Sequence, residues 1–285
     1  MKVIDISKYQ TNIDWRKVKA DRVQGVIIRA GFGAGNIDNM FYKHIADAIA
    51  HGMSIGVYWF SYAYNVKMAK QEAIYCHAAI ERFRDKINLP VFFDWEYDSF
   101  DFAKRFGIMP TKQLITDMNV EFCSMIEAIG YKAGYYLNMD YSINYVDESR
   151  LKNYKRWYAR YTVEQQTDCY MWQFTSKGKI DGINGNVDCN VLYTDEQITS
   201  PADPEPVEEE NKQEVEEGSD YKMQTIKRGS RGKAVKIWQI ILGVKVDGVF
   251  GEETEKKTIS FQKKNGLVQD GIVGSKTWKV GLENV

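Results

Sequence analysis

Asp94 and Glu96 stand two residues apart at the end of the apolar run Leu89-Pro90-Val91-Phe92-Phe93. Five apolar residues of this kind drive a strand into a core. On a strand, residues i and i+2 project from the same face, about 6.6 Å apart along the backbone. Two carboxylates buried side by side are costly, and their charges push each other's pKa values apart. One then keeps its proton near neutral pH while the other is ionised, the arrangement that glycosidic bond cleavage needs. The competing reading of the same residues is a strand-end turn with solvated acids, of the kind found in structural ion-pair networks.

The elements that position this pair decide between the two. Eight strand-like runs precede residue 195: 3–7, 25–31, 54–62, 90–96, 132–138, 156–161, 170–176 and 186–191. Between them, 39–51, 66–86 and 111–129 carry apolar residues at helical spacing, and Thr111 follows Pro110 at an N-cap position. Alternating strand and helix argues for parallel strands with crossover helices. The expected fold is therefore α/β, an irregular (β/α)8 barrel whose later gaps are too short for full helices. Active sites of such barrels lie where the strands' C-terminal ends meet. Those ends read Asp5, Arg29, Tyr58 with Tyr62, Asp94 with Glu96, Tyr136 with Asn138, Tyr161, Gln173 and Asp188. Four acids converging on one mouth, with aromatics between them, favour an acidic sugar-cleaving pocket over a solvated turn.

At 285 residues the chain is long for one domain, and its charge is unevenly spread. Residues 1–199 are neutral. Residues 200–220 hold nine acids, one lysine and three of the five prolines, with no aromatic, which reads as an extended linker. Residues 221–285 hold 13 basic and six acidic residues. The expected boundaries are a barrel over 1–198, an acidic linker over 199–222 and a small C-terminal domain over 223–285. No run of 18 apolar residues suggests a membrane span, and the first residues enter a strand with no signal-peptide core. Synthesis in the cytoplasm is the expectation, with Cys76, Cys123, Cys169 and Cys189 as free thiols.

Other signals are weaker. Gly52-Met53-Ser54-Ile55-Gly56 has the spacing of a serine nucleophile elbow, but it lies between helix and strand, the reverse of the order that elbow needs. His44, His51 and His77 fall on helical patterns without zinc-ligand spacing, so no metal or other cofactor is expected. The basic stretches carry no nucleic-acid fold signature. Enrichment in aromatics, 18 Tyr, 13 Phe and 7 Trp, suits stacking on sugar rings, although most such rings serve a core.

Six segments in order resemble the glycoside hydrolase family 25 lysozymes, muramidases that cleave bacterial peptidoglycan. They are Val3-Ile4-Asp5-Ile6-Ser7, Gly56-Val57-Tyr58-Trp59-Phe60, Phe93-Asp94-Trp95-Glu96, Trp157-Tyr158-Ala159-Arg160-Tyr161, Trp172-Gln173-Phe174-Thr175 and Val187-Asp188-Cys189-Asn190. The resemblance covers about residues 1–195. It implies that Glu96 is the general acid and that Asp94 orients the substrate's 2-acetamido group, the internal nucleophile of a retaining mechanism. Asp5 and Asp188 would complete the acidic floor, with Arg29, Tyr58, Tyr62, Tyr136, Trp157, Tyr161 and Gln173 around the sugar. Direct attack by Asp94, or inversion through water activated by Asp188, stays open on the residues alone. Cys189 alternates away from Asp188 and Asn190 and reads as core.

Residues 225–282 show an internal echo. Asp247-Gly248-Val249-Phe250-Gly251 with Thr254 recurs 23 residues later as Asp270-Gly271-Ile272-Val273-Gly274 with Thr277. Each Asp-Gly marks a turn and each Thr a helix start, with helical segments at 234–242 and 258–262. This three-helix unit resembles the peptidoglycan-binding domain 1 family, with a shortened stretch from Leu242 to Asp247. Its basic surplus suits an anionic wall. Together the two resemblances imply a phage endolysin: a muramidase tethered to bacterial peptidoglycan, without nucleic-acid partners or membrane insertion, acting on the wall after release. A bacterial autolysin, a chitinase-like hydrolase and a non-catalytic wall-binding protein are the alternatives. The intact set Asp5, Asp94, Glu96 and Asp188 speaks against the last.

Overall fold

Strands and helices alternate from the first residues of the computed structural model, which describes residues 1–162, 164–193 and 224–283. The acidic stretch expected as a linker lies outside the described residues. The chain divides into two compact units, Met1–Glu210 and Asn211–Val285.

In the first unit the order is β1 (Lys2–Ile6), α1 (Trp15–Ala20), β2 (Gly25–Phe32), β3 (Asn36–Ile37), α2 (Phe41–Ala50), β4 (Ser54–Phe60), α3 (Val66–Ile80), β5 (Ile87–Asp94), α4 (Tyr97–Arg105), α5 (Lys112–Ala128), β6 (Ala133–Asn138), β7 (Lys155–Ala159), β8 (Met171–Gly178) and β9 (Val187–Leu192). The sheet runs β1-β9-β8-β7-β6-β5-β4-β2, and β1 pairs with β2 to close it. Eight strands thus form a closed barrel, and the two-residue β3 hangs on β2 outside the ring. Closure leaves no edge strand in the ring.

The barrel interior is filled in layers. Val3, Ile27, Tyr58, Leu89, Phe92, Trp157, Met171 and Leu192 form one buried cluster. The apolar layer excludes water from one end, so polar side chains on the same inward faces gather at the other. Outside, Asn65 caps α3 by accepting from the Met68 N–H (2.9 Å), and Thr111 caps α5 by accepting from the Leu114 N–H (3.2 Å).

Three differences from the sequence reading matter. First, β9 runs antiparallel to both β8 and β1. The connection from β8 is too short for the crossover that a parallel strand requires. Asp188 therefore reaches the polar end of the barrel from the start of its strand rather than the end. Second, β5 stops at Asp94, and Glu96 is the N-cap of α4, a helix that no apolar periodicity announced. Third, the helix expected over 66–86 ends at Ile80 and finishes as a 3-10 turn, Glu81–Lys86, while α1 and β3 were not expected.

The second unit contains α6 (Lys233–Leu242), α7 (Glu252–Lys264) and α8 (Ser275–Glu283). Its two Asp-Gly loops are held by the same device. Gln239 Nε2 donates to Asp247 Oδ1 (2.8 Å), the Val249 carbonyl (3.1 Å) and Thr254 Oγ1 (3.2 Å), while its Oε1 accepts from the Gly248 N–H (2.8 Å). Gln262 repeats this with Asp270 (2.8 Å), Ile272 (2.9 Å), Thr277 (3.5 Å) and Gly271 (2.9 Å). Gly248 and Gly271 have φ of 73° and 69°, the left-handed region where a Cβ is strained.

Candidate active site

The polar end of the barrel is built from inward-facing residues of the closing strands. Asp5 on β1 lies directly opposite Asp188 on β9. Like charges directly opposite are destabilising, so this register works against the fold. The conflict is contained by hydrogen bonds on one oxygen. Asn190 Nδ2 donates to Asp5 Oδ2 at 2.8 Å and Gln173 Nε2 donates to it at 3.0 Å. Burial, then the Asp188 charge, raises the Asp5 pKa well above the carboxylate range, and the two amides pull part of it back. Burial pushes Asp188 up to about 6.

Asp94, at the end of β5, is buried and faces the same space. Burial first and Glu96 second raise its pKa well above the usual range. Burial also raises Glu96, and its hydrogen bonds to Asp94 and Tyr136 oppose the rise. The hydrogen bond between the two carboxyls adds to the rise at Asp94 and opposes it at Glu96, so the pair titrates together. Asp94 Oδ1 is buried with no hydrogen-bond partner among the described residues. A buried carboxylate oxygen left without a donor is unfavourable, and a ligand N–H would relieve it.

Glu96 is aimed from outside the strand. Its N–H donates to Ser99 Oγ (3.1 Å), Ser99 Oγ donates to the Ser61 carbonyl (2.6 Å), and the Ser61 N–H donates to the Asp94 carbonyl (2.7 Å). Trp95, between the two acids, turns outward and donates from Nε1 to the Ala63 carbonyl (2.8 Å). The segment after β4 and the cap of α4 are thus stitched together, so the pair forms although Glu96 is not on the strand.

The remaining expected residues divide by depth. Tyr136 reaches both Gln173 Oε1 (3.1 Å) and Glu96, and its one O–H serves one of them at a time, while Tyr161, exposed at the rim, donates to the same Gln173 oxygen (2.8 Å). Tyr58 is buried beneath the acids. Arg29 is paired with Asp38 (2.7 Å) and still lowers the Asp94 pKa by its charge. Tyr62 lies further out, packed on Phe60 (5.2 Å) and Phe102 (4.9 Å). Trp157 is the exception among the residues expected around the sugar. It is only 2% exposed, packs on Tyr58, Phe92 and Tyr136, and donates to Asn190 Oδ1 (2.8 Å). It supports the floor from below and offers no open face.

Asp38, Ser61 and Ser99 were not singled out from sequence as site residues, and Asn190 was read as polar beside the site without a role. Asn190 had a signal, since it alternates with Asp188 on one strand; the others meet the site only through tertiary contacts. Cys189 is buried, as its alternation implied. No group of three or more His, Cys, Asp or Glu among the described residues is placed to hold a metal ion.

The sequence model of glycosyl hydrolases family 25 matches residues 4–183, and that of a putative peptidoglycan-binding domain matches residues 236–280. The modular autolysin LytC from Streptococcus pneumoniae superposes with a TM-score of 0.59 at 28% identity, over 67% of this chain and 46% of that one; it has also been solved with a synthetic peptidoglycan ligand. The chain therefore spans about half the length of that relative. The CTP1L endolysin aligns at 24% identity over 67% of this chain and 66% of that one, with a TM-score of 0.56. The catalytic domain of endolysin ply40 from bacteriophage P40 of Listeria monocytogenes aligns at 24% identity over 68% and 94%, with a TM-score of 0.54. These last two likenesses are likenesses of fold.

Proposed function

The chain belongs to glycosyl hydrolases family 25, and from that premise we propose that it is a lysozyme of the endolysin type. It hydrolyses the β-1,4 bond between N-acetylmuramic acid and N-acetylglucosamine in bacterial peptidoglycan. The observation that carries this reading is the buried, hydrogen-bonded Asp94–Glu96 pair with Asp94 Oδ1 left unpaired; we infer that the pair shares one proton. An acetamido N–H donating to Asp94 stabilises that carboxylate as the anion and leaves the shared proton on Glu96. Binding of the substrate thus loads the acid.

Glu96 then gives its proton to the leaving glycosidic oxygen while the acetamido carbonyl oxygen attacks the anomeric carbon and the glycosidic bond breaks. The product is an oxazolinium ion. The Glu96 carboxylate next takes a proton from water as that water attacks the anomeric carbon and reopens the ring. Configuration is retained, and Glu96 ends protonated. Asp5 and Asp188, high in pKa and partly neutral, keep excess negative charge from holding the proton on the pair too tightly. Gln173 orients Tyr136 and Tyr161 toward the bound sugar.

The second unit is read as a wall-binding module that keeps the barrel at an insoluble polymer by raising its effective concentration. Release from a lysing host or action as a bacterial autolysin both fit this arrangement.

Fragments released from purified peptidoglycan by wild type and by Glu96→Gln, analysed by mass spectrometry, test the reading. Wild type is expected to leave reducing N-acetylmuramic acid ends, and Glu96→Gln to leave none while still binding the wall. Reducing N-acetylglucosamine ends would change the bond cleaved. Comparable rates on chitin oligomers would favour a chitinase-like enzyme, and absence of any sugar cleavage would favour a binding protein.

A further inference from the structure

A hollow of about 380 Å³ opens along the helix that Glu96 caps, lined by Tyr62, Asp98, Asp101, Phe102 and Arg105. Four of these lie on α4 at spacings of three, four and seven residues, a single stripe of the helix that Glu96 caps. Tyr62 forms the opposite wall, its ring against Phe102. Asp98 is near enough for its charge to act on Glu96, and Tyr62 feels the charges of Asp98, Arg29 and Arg105. The hollow is therefore next to the acids without being part of them.

Its chemistry differs from that of a sugar subsite. Asp98 and Arg105 make no side-chain hydrogen bond or ion pair among the described residues, and Asp101 has only an exposed Lys104 at 3.7 Å. Two carboxylates and a guanidinium, uncommitted to one another, surround an aromatic wall. A neutral N-acetylated sugar could reach such groups only through its hydroxyls, whereas a ligand carrying both charges would pair with each of them. The peptide stem on the lactyl ether of N-acetylmuramic acid carries ammonium and carboxylate groups separated by short apolar side chains. We propose that this hollow binds the peptide stem of the substrate, with Arg105 taking a stem carboxylate, Asp98 and Asp101 a side-chain ammonium, and Tyr62 and Phe102 the aliphatic parts. The proposal rests on the muramidase reading above and names a second part of the same substrate.

The test uses the full-length chain with Asp101→Asn and Arg105→Gln combined; both side chains are exposed, and neither is among the groups that act most on Asp94 or Glu96. Two substrates are compared, glycan strands with their stems and the same strands stripped by an amidase. Binding of an N-acetylated stem tetrapeptide containing a diamino acid is measured alongside by calorimetry. Wild type is expected to show a KM about three- to tenfold lower on the strands that carry stems, at similar kcat, and the variant to lose that advantage while its rate on stripped strands is unchanged. The variant should also weaken tetrapeptide binding by a similar factor, which separates the hollow from any site on the second unit. A variant that raises KM equally on both substrates, or that changes neither KM nor tetrapeptide affinity, overturns the proposal. If wild type cleaves neither strand, the muramidase reading falls, and the tetrapeptide affinities alone decide the role of the hollow.

Discussion

Glu72 shows what a single buried carboxyl does to this molecule. It sits in α3 beneath the segment after β4, and its Oε1 accepts from the Tyr62 N–H at 2.9 Å. Burial pushes its pKa up to about 8, against the opposing pull of hydrogen bonds from Ser61, Tyr62 and Ala63. The folded chain thus holds a proton that the unfolded chain releases near pH 4.5. Its contribution to stability is complete below about pH 4.5 and is lost as pH rises through about 8, an effect of at most about 5 kcal/mol. Asp5, Asp94 and Asp188, all raised, tilt stability the same way. The melting temperature of the barrel is expected to fall between pH 5 and pH 8. Glu72→Gln, neutral at every pH and still able to accept from Tyr62, should flatten part of that fall. An unchanged slope in the variant would show that Glu72 is ionised in the fold throughout.

Among the elements, β5 was legible and α4 was not, and the reason is physical. Pro90–Phe93 is a continuous apolar run, and only a strand buried on both faces hosts it. The α4 sequence, Tyr97–Arg105, alternates rings with charges and buries only Ser99 and Ala103. Its helix is stabilised by the cap at Glu96 and by contacts from the segment after β4, which no local window contains. The same limit applies to β9: its residues were read correctly, but its direction is set by the length of the connection. The interior of the barrel was legible only as inward alternation; the fit of one side chain into another was not. Gly134 on β6 illustrates the fit. A Cβ there would lie 2.5 Å from the Lys155 carbonyl oxygen on β7 and 2.5 Å from the Phe92 ring. One of these is backbone of the neighbouring strand and the other a ring that fills the barrel, so neither moves freely. Gly134→Ala is expected to lower stability by about 1–3 kcal/mol in chemical denaturation. A neutral result would mean that β6 and β7 part without cost.

At the scale of the whole chain, two units with different charges imply two separable activities. The second unit carries the basic surplus, 13 Lys and Arg against six acids over residues 221–285. Its integrity depends on two glutamines that each join an Asp-Gly loop to the start of the following helix. Both are buried, so a lost amide leaves the Gly248 and Gly271 N–H groups without their acceptors and removes one of the two donors to Asp247 and to Asp270. The barrel's core cluster shares no residue with these clamps. Replacing Gln239 and Gln262 together by Ala should therefore unfold the loops and abolish retention on whole cell walls, while soluble muropeptide chains are still cut at the wild-type rate. In the wild type, retention that depends on the basic surplus should weaken as salt is raised from low ionic strength, over the range in which the screening length falls from about 30 Å to 10 Å or less. Cutting of soluble chains that falls in step with wall retention would mean that the barrel needs the second unit for more than proximity. Wall retention that survives the double substitution would move the wall-binding site away from the Asp-Gly loops.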